Sequence, residues 1–170
     1  MREDLIKEMK NVFGSDEKRI NHGLSVLKYA EQLQRIEGGN LTVIIAAAIL
    51  HDIGIHEAER KYNSAAGNYQ EIEGPSIAEK ILGKSDIPSS DIKHICRIIA
   101  NHHSAKDIDT IEFRVIWDAD WLVNIPEELS CIGPEKLRKI IDKTFKTSSG
   151  RKMAMELFLN NCSINNPREN

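Results

Sequence analysis

The chain contains 170 residues, the length of one domain that can bury a full hydrophobic core. Its 41% hydrophobic and 29% charged residues, with only 5 prolines and 10 glycines, exclude a disordered or fibrous protein. The net charge of −3 lacks the basic excess that binding to a phosphate backbone demands, so we expect no nucleic-acid partner.

Helical periodicity predicts an all-α fold, a single compact bundle of seven to eight helices. One domain covers residues 1–160, and a polar tail covers residues 161–170. Pro75 and Pro134 are interpreted as helix starts, because the first turn of a helix leaves its N–H groups unpaired. The predicted helices lie at residues 2–12, 16–37, 41–53, 75–84, 89–102, 110–124, 134–146 and 149–160.

The most apolar segment, LTVIIAAAIL, covers residues 41–50. A membrane-crossing helix needs about 20 apolar residues, so we interpret this segment as a buried core helix and expect no membrane partner. No apolar leader precedes it, and the three cysteines are far apart without a CxxC pair, which together predict a cytoplasmic protein. The polar segment 61–74 is interpreted as a lid, because long loops are often functional.

Two predicted apolar helices end in residues that can bind a metal. His51 and Asp52 end the core helix, where a carboxylate is costly to bury without a partner such as a metal ion. The alternative is a helix end at which His51 meets the helix dipole and Asp52 faces water. His102 and His103 end another apolar helix in the same way, which predicts a shared site. Imidazoles and carboxylates suit Mn, Fe, Co, Ni or Zn.

Three further polar positions are ambiguous in sequence. His22 begins an apolar helical stripe, either as a ligand or as a core histidine bonded to a carbonyl. Arg19 lies one turn earlier, where it can hold a substrate phosphate or face solvent. Asp118 and Asp120 lie about 200° apart on one apolar helix, and periodicity does not choose between them. His56 and His94 have no supporting context and are interpreted either as surface residues or as residues that support the ligands from outside the metal site.

In chain order, Arg19-x-x-His22, His51-Asp52, His102 and the Ala-Asp-x-Leu segment at residues 119–122 resemble the HD superfamily of metal-dependent phosphohydrolases. The resemblance covers about residues 15–125. It implies an all-α domain in which His22, His51, Asp52 and Asp120 hold one divalent ion. It also selects Asp120 over Asp118.

A second resemblance concerns EIEGPSIAEKIL at residues 71–82. It is similar to dinuclear members of the superfamily, including bacterial diadenosine tetraphosphate hydrolases, in which a histidine stands where this chain has Glu73. The resemblance implies a second metal, bridged by Asp52 and completed by Glu73, His102 and His103. The alternative for Glu73 is a first-turn acid that the helix dipole favours.

The chain also departs from known subgroups. Ile55 stands where signalling members with an HDIGK motif carry lysine and where the 5′-deoxynucleotidases of the superfamily carry glutamate, an acid that Glu57 can provide instead. No GYP motif follows the histidine pair, so we do not expect cyclic di-GMP hydrolysis.

The resulting functional hypothesis is a phosphohydrolase that cleaves a phosphoester or phosphoanhydride bond with metal-activated water. Asp52 accepts the proton of the water, and Arg19, Lys61 or Lys106 steadies the phosphate. We expect a small phosphorylated substrate, a nucleotide, whose base Tyr62, Tyr69, Trp117 or Trp121 can stack against. The alternatives are an HD-type di-iron oxygenase and a non-catalytic nucleotide-binding module. The sequence does not indicate the oligomeric state.

Overall fold

A computed structural model describes residues 1–129 and 132–160, and these residues form nine α-helices, one π-helical turn and no β-strand. The all-α prediction is therefore confirmed. The predicted tail at residues 161–170 lies outside the described residues. The helices are α1 (Arg2–Phe13), α2 (Glu17–Glu37), α3 (Leu41–Leu50), α4 (Ile55–Tyr62), α5 (Gly67–Leu82), α6 (Ser89–Ile99), α7 (Ile111–Glu128), α8 (Pro134–Thr144) and α9 (Ser148–Met155), followed by a π-helical turn, Glu156–Asn160.

Helix α3 is the centre of the domain. Every residue from Val43 to Leu50 is buried, because α1, α2, α6 and α7 all pack around this helix. A helix that is apolar on all sides belongs in such a position. The side chain of Asn40 begins the helix by accepting hydrogen bonds from the backbone N–H groups of Thr42 and Val43. The predicted core helix is confirmed, although it ends at Leu50 rather than at residue 53.

The turn after α3 lies against α5. Gly54 begins α4, and a Cβ atom at this position would lie only 2.6 Å from the backbone nitrogen of Gly74. Two glycines therefore allow the backbones of the turn and of α5 to approach closely. This contact places His51 and Asp52, which lie in the turn, beside the middle of α5.

The segment predicted as a lid is helical instead. Helix α4 runs to Tyr62 and α5 starts at Gly67, so only residues 63–66 connect the two helices. Pro75 lies inside α5 rather than at its start. Periodicity missed the first half of α5 because its buried face there consists of Gln70, Glu73 and Gly74, which an apolar pattern does not reveal.

Candidate metal centre

Four parts of the chain meet at one point inside the bundle. His22 comes from α2, His51 and Asp52 from the turn after α3, and Asp120 from α7. Helices α2 and α7 pack along each other and against α3, which brings these residues together across about 100 positions of sequence. His51 and Asp120 are buried, at 1% and 7% exposure, whereas His22 and Asp52 are half-buried and form the side of the group that faces the cavity.

The donor atoms of this group converge. Nε2 of His22 lies 3.2 Å from Nε2 of His51 and 3.0 Å from Oδ1 of Asp120. Oδ2 of Asp52 lies 3.5 Å from Nε2 of His22 and 3.4 Å from Nε2 of His51. Ligands about 2.1 Å from one ion are separated by about 3.0 Å in an octahedron and about 3.4 Å in a tetrahedron. His22, His51 and Asp52 therefore have about the spacing of a coordination shell, and Asp120 joins them through His22, with its Oδ1 3.7 Å from Nε2 of His51.

Neighbouring groups orient two of these side chains. Nδ1 of His51 donates a hydrogen bond to the carbonyl oxygen of Ala48 at 2.9 Å, which leaves Nε2 free to act as a ligand. The side-chain amide of Asn124 donates to Oδ1 of Asp120 at 3.0 Å. Metal ligands in proteins are usually held by such outer hydrogen bonds. Asn124 was missed in the sequence, although its position one turn after Asp120 is a usable signal.

The electrostatics of the group attract a cation. Burial disfavours the charged imidazolium of His51, yet the Asp52 and Asp120 carboxylates raise its pKa to about 9. Burial likewise opposes the ionisation of Asp52, yet His51 and His102 hold its pKa well below the usual range. The two buried carboxylates thus demand positive charge at this point, and a divalent ion would supply it.

A second group shares Asp52. One donor atom each of Asp52, His102 and His103 lie within 4.8 Å of one another. Nδ1 of His102 donates to the carbonyl oxygen of Ile99 at 2.6 Å. Nε2 of His102 is buried, lies 3.4 Å from Oδ1 of Asp52 and has no hydrogen-bond partner among the described residues. An unpaired buried nitrogen is costly, so this atom fits a metal ligand better than a structural group.

Glu73 and Lys61 lie apart from both groups. Oε2 of Glu73 accepts a hydrogen bond from Nζ of Lys61 at 2.6 Å, and Oε1 accepts one from the Tyr62 hydroxyl at 2.9 Å. The structure thus pairs Glu73 with Lys61 and Tyr62, and the second ligand group among the described residues consists of Asp52, His102 and His103 without it. Glu73 also lies within α5 rather than in its first turn, so the alternative of a first-turn acid does not apply, and its role as a ligand stays a prediction.

A cavity of about 550 Å³ opens onto the centre and is lined by His22, Asp52, His103 and Asp120. Arg19 also lines it, but its guanidinium is held by Oδ2 of Asp16 and Oε1 of Glu59, each at 2.6 Å. Lys106 is exposed and does not line this cavity. Of the three cations predicted to steady a phosphate, only Arg19 is therefore on the wall.

The remaining candidates have structural contacts. The Asp118 carboxylate accepts hydrogen bonds from the backbone of Lys146, at 2.7 Å, and from the backbone and hydroxyl of Thr147, at 2.8 and 2.7 Å. His56 lies 3.2 Å from Asp16, and His94 lies 2.9 Å from the Thr110 hydroxyl. Asp118 therefore joins α7 to the start of α9, while Asp120 belongs to the ligand group.

The aromatic residues predicted to stack on a base lie elsewhere. The Tyr62 and Tyr69 rings stack on each other, with centroids 4.1 Å apart. Trp117 donates its indole N–H to the carbonyl oxygen of Thr144 at 3.0 Å. None of these three, nor Trp121, lines the cavity in the described part of the chain.

Comparisons with known proteins agree with this geometry. Residues 19–125 match the protein family described as "HD domain". The fold is similar to a crystal structure described as a predicted HD superfamily hydrolase from an uncultured Thermotogales bacterium. That likeness has a TM-score of 0.67 and 22% identity, and it covers 95% of this chain and 87% of the other. No curated protein matches the chain.

Proposed function

The chain belongs to the HD domain family, and on this premise we propose that it is a metal-dependent phosphohydrolase. Its reaction would be cleavage of a phosphoester or phosphoanhydride bond by water. The observation that carries the proposal is the position of Asp52, whose carboxylate faces the His22–His51 group with Oδ2 and the His102 ring with Oδ1. A buried carboxylate between two sets of imidazoles is a ligand arrangement for one or two divalent ions of the Mn, Fe, Co, Ni or Zn type.

The residues divide the work between binding and proton transfer. His22, His51, Asp52 and Asp120 would hold the first ion, and Asp52, His102 and His103 the second. A divalent ion in such a site makes a nucleophile available at neutral pH and compensates the charge that develops on phosphoryl oxygens. Asp52 is ionised at neutral pH because its pKa lies well below the usual range, so it is available as an anionic ligand. A low pKa makes a weak base, so the proposal that Asp52 also accepts the proton of the water rests on its position between the two ligand groups.

Besides Lys18, which lies 3.3 Å from Glu127, the basic residue on the described cavity wall is Arg19, and we assign the contact with a substrate phosphate to Arg19. Because it bonds Asp16 and Glu59, it is held at the cavity wall rather than free to swing into solvent. The same two carboxylates reduce the positive potential that Arg19 offers, so tight phosphate binding would depend on the metal charge. Arg19 thus serves to orient the phosphate more than to supply affinity.

A nucleotide remains our proposed substrate class. The cavity volume of about 550 Å³ is within the usual range for small-molecule sites. Polar side chains such as Gln70, Asn124 and Glu127 line its wall. The amides can donate to phosphate oxygens and the Glu127 carboxylate can accept from ribose hydroxyls, whereas base stacking has no Tyr or Trp partner on the described wall. We therefore expect weak discrimination among bases.

The decisive experiment compares Asp52→Ala with the wild type. Metal content is measured by elemental analysis, and phosphate release is measured on nucleoside mono-, di- and triphosphates and dinucleoside polyphosphates with Mn²⁺, Co²⁺ or Ni²⁺. We expect Asp52→Ala to lose bound metal and activity, and Asp107→Ala, which changes an exposed carboxylate off the cavity wall, to retain both. A fully active Asp52→Ala protein would refute the proposal.

Two ligand groups that share one carboxylate also favour a second candidate, a di-iron oxygenase. Oxygen consumption by the ferrous protein would support it, and phosphate release under strictly anaerobic conditions would exclude it as the main activity. Nucleotide binding without turnover, with each of the three metals, would instead identify a non-catalytic module.

A further inference from the structure

Helix α5 lies beside the turn that carries His103 and holds that turn at two points. Oε1 of Glu71 accepts hydrogen bonds from the backbone N–H groups of His103, at 3.0 Å, and Ser104, at 2.8 Å. Oε1 of Gln70 lies 3.3 Å from Nε2 of the His103 ring. Both the backbone and the ring of His103 are thus attached to α5.

The direction of the Gln70 hydrogen bond follows from its other contact. The Gln70 side chain is buried, and its amide nitrogen donates to the carbonyl oxygen of Ala65 at 2.7 Å. The amide oxygen therefore faces His103 and accepts from Nε2–H. A histidine that gives one N–H to an outer acceptor keeps a lone pair on its other ring nitrogen, which is the usual state of a metal-bound imidazole.

Gly67 provides the space for the ring. A Cβ atom at this position would lie 2.7 Å from both Cγ and Cδ2 of His103 and 3.0 Å from its Cβ. All three of the nearest atoms belong to His103, so a methyl group there would displace this side chain first. Gly67 is the first residue of α5, where alanine is compatible with the helix.

His102 is held differently. Its ring is fixed by the carbonyl oxygen of Ile99 within its own turn, and it is only 3% exposed. The His102 ring thus makes no hydrogen bond to α5 in the described part of the chain and meets it only through the His103 ring, whose centroid is 4.0 Å away, whereas both hydrogen bonds found for His103 come from α5. A change in α5 should accordingly affect one of the two histidines.

We propose that Gly67, Gln70 and Glu71 are positioning residues that set His103 as a ligand of the second metal and so decide whether the centre holds one ion or two. The inference rests on the proposed metal-dependent function. It assigns a role to the first turns of α5, which lie in the segment that the sequence predicts to be a lid. It also implies that the second metal site can be weakened while the first metal site stays unchanged.

The test is a Co²⁺ titration of chelator-treated full-length protein, followed by calorimetry and visible absorption. Wild type should bind two ions. Gly67→Ala should bind the first ion as wild type does and the second at least about 10-fold more weakly, the size of effect typical of lost outer-shell support. Asn68→Ala is the matched control, because Asn68 is exposed in the same helical turn.

A second pair of variants keeps the test independent of the glycine. Glu71→Ala should also weaken the second ion, and Glu71→Gln, which retains an acceptor oxygen, should restore much of the affinity. Circular dichroism checks that each variant is folded. Wild-type binding of a single ion, or an unchanged second affinity in both Gly67→Ala and Glu71→Ala, would overturn the inference and leave the proposed function intact. Failure of wild type to bind any ion would refute the proposed function itself.

Discussion

Replacing the two aspartates of α7 one at a time should separate stability from metal binding, because Asp118 supports the fold and Asp120 belongs to the ligand group. Asp118 accepts three hydrogen bonds from Lys146 and Thr147, and its side chain is fully buried. Asp118→Ala leaves these donors unpaired, and at about 1.5 kcal/mol each the loss is roughly 4–5 kcal/mol. Asp120→Ala removes no comparable anchor, because Asp120 bonds His22 and Asn124 inside the ligand group.

Part of the stability lost in Asp118→Ala is regained, because the variant no longer buries an ionised carboxylate. Burial raises the pKa of Asp118 to about 6 from 3.8, against the hydrogen bonds that lower it. The raised pKa shows that burial outweighs the hydrogen bonds for the ionised carboxylate, and alanine removes this burial cost. The expected net loss for Asp118→Ala in the free energy of unfolding is therefore well below the hydrogen-bond total, about 1–2 kcal/mol.

The assay is urea unfolding of the metal-free proteins at pH 7, combined with Co²⁺ binding. Asp118→Ala should unfold at lower urea and still bind the first ion, while Asp120→Ala should keep most of its stability and lose tight binding. Asp107→Ala should change neither property. Loss of the first ion in Asp118→Ala without a change in the urea midpoint would refute the division of roles between the two residues.

Three further outcomes follow from single contacts. Asn124→Ala should weaken the first ion about 10- to 100-fold in calorimetry, because it removes the amide that holds Asp120; unchanged affinity would contradict this. Cys96 should resist iodoacetamide at pH 8, because burial raises the pKa of its thiol to about 11, and rapid labelling of its tryptic peptide in mass spectrometry would count against that. Gly54→Ala should lower the free energy of unfolding by about 1–3 kcal/mol, because its methyl meets the backbone of Gly74. Gly133→Ala, where a Cβ atom meets nothing within 4 Å, is the control, and equal melting temperatures would be the contrary result.

Structure and site are best predicted from the sequence where buried residues and functional residues form a recognisable pattern along the chain. The apolar run of α3 identified the core helix, and the histidines at the ends of α3 and α6 identified residues that the fold brings together. Asp118 and Asp120 show the limit of periodicity. Both are buried on α7, and only the backbone of Lys146 and Thr147, 28 and 29 residues later, distinguishes them. That partner depends on tertiary structure, so the resemblance to the family, not the helical period, selected Asp120.

The predicted phosphate contacts of the basic residues are limited by a different property of the sequence. Arg19 and Lys61 were assigned to phosphate because each is a cation near a ligand in sequence. In the fold, Glu59 and Asp16 hold Arg19, while Glu57 and Glu73 surround Lys61. A sequence shows that charges of both signs are present but not which of them meet. The cavity wall itself carries more carboxylates than basic residues, and its two basic residues, Lys18 and Arg19, are each paired with a carboxylate.

This pairing explains how a nearly neutral protein can act on an anionic substrate. The two basic residues on the described cavity wall, Lys18 and Arg19, are already bonded to carboxylates. The positive charge that an anionic substrate needs would therefore come from ions held by the ligand groups that share Asp52. The first group holds two carboxylates, and the second adds two histidines, of which His103 depends on α5. Phosphate affinity should therefore follow the number of ions bound more than the number of basic side chains. Under the proposed function, we therefore expect substrate binding to depend also on the α5 contacts that hold His103.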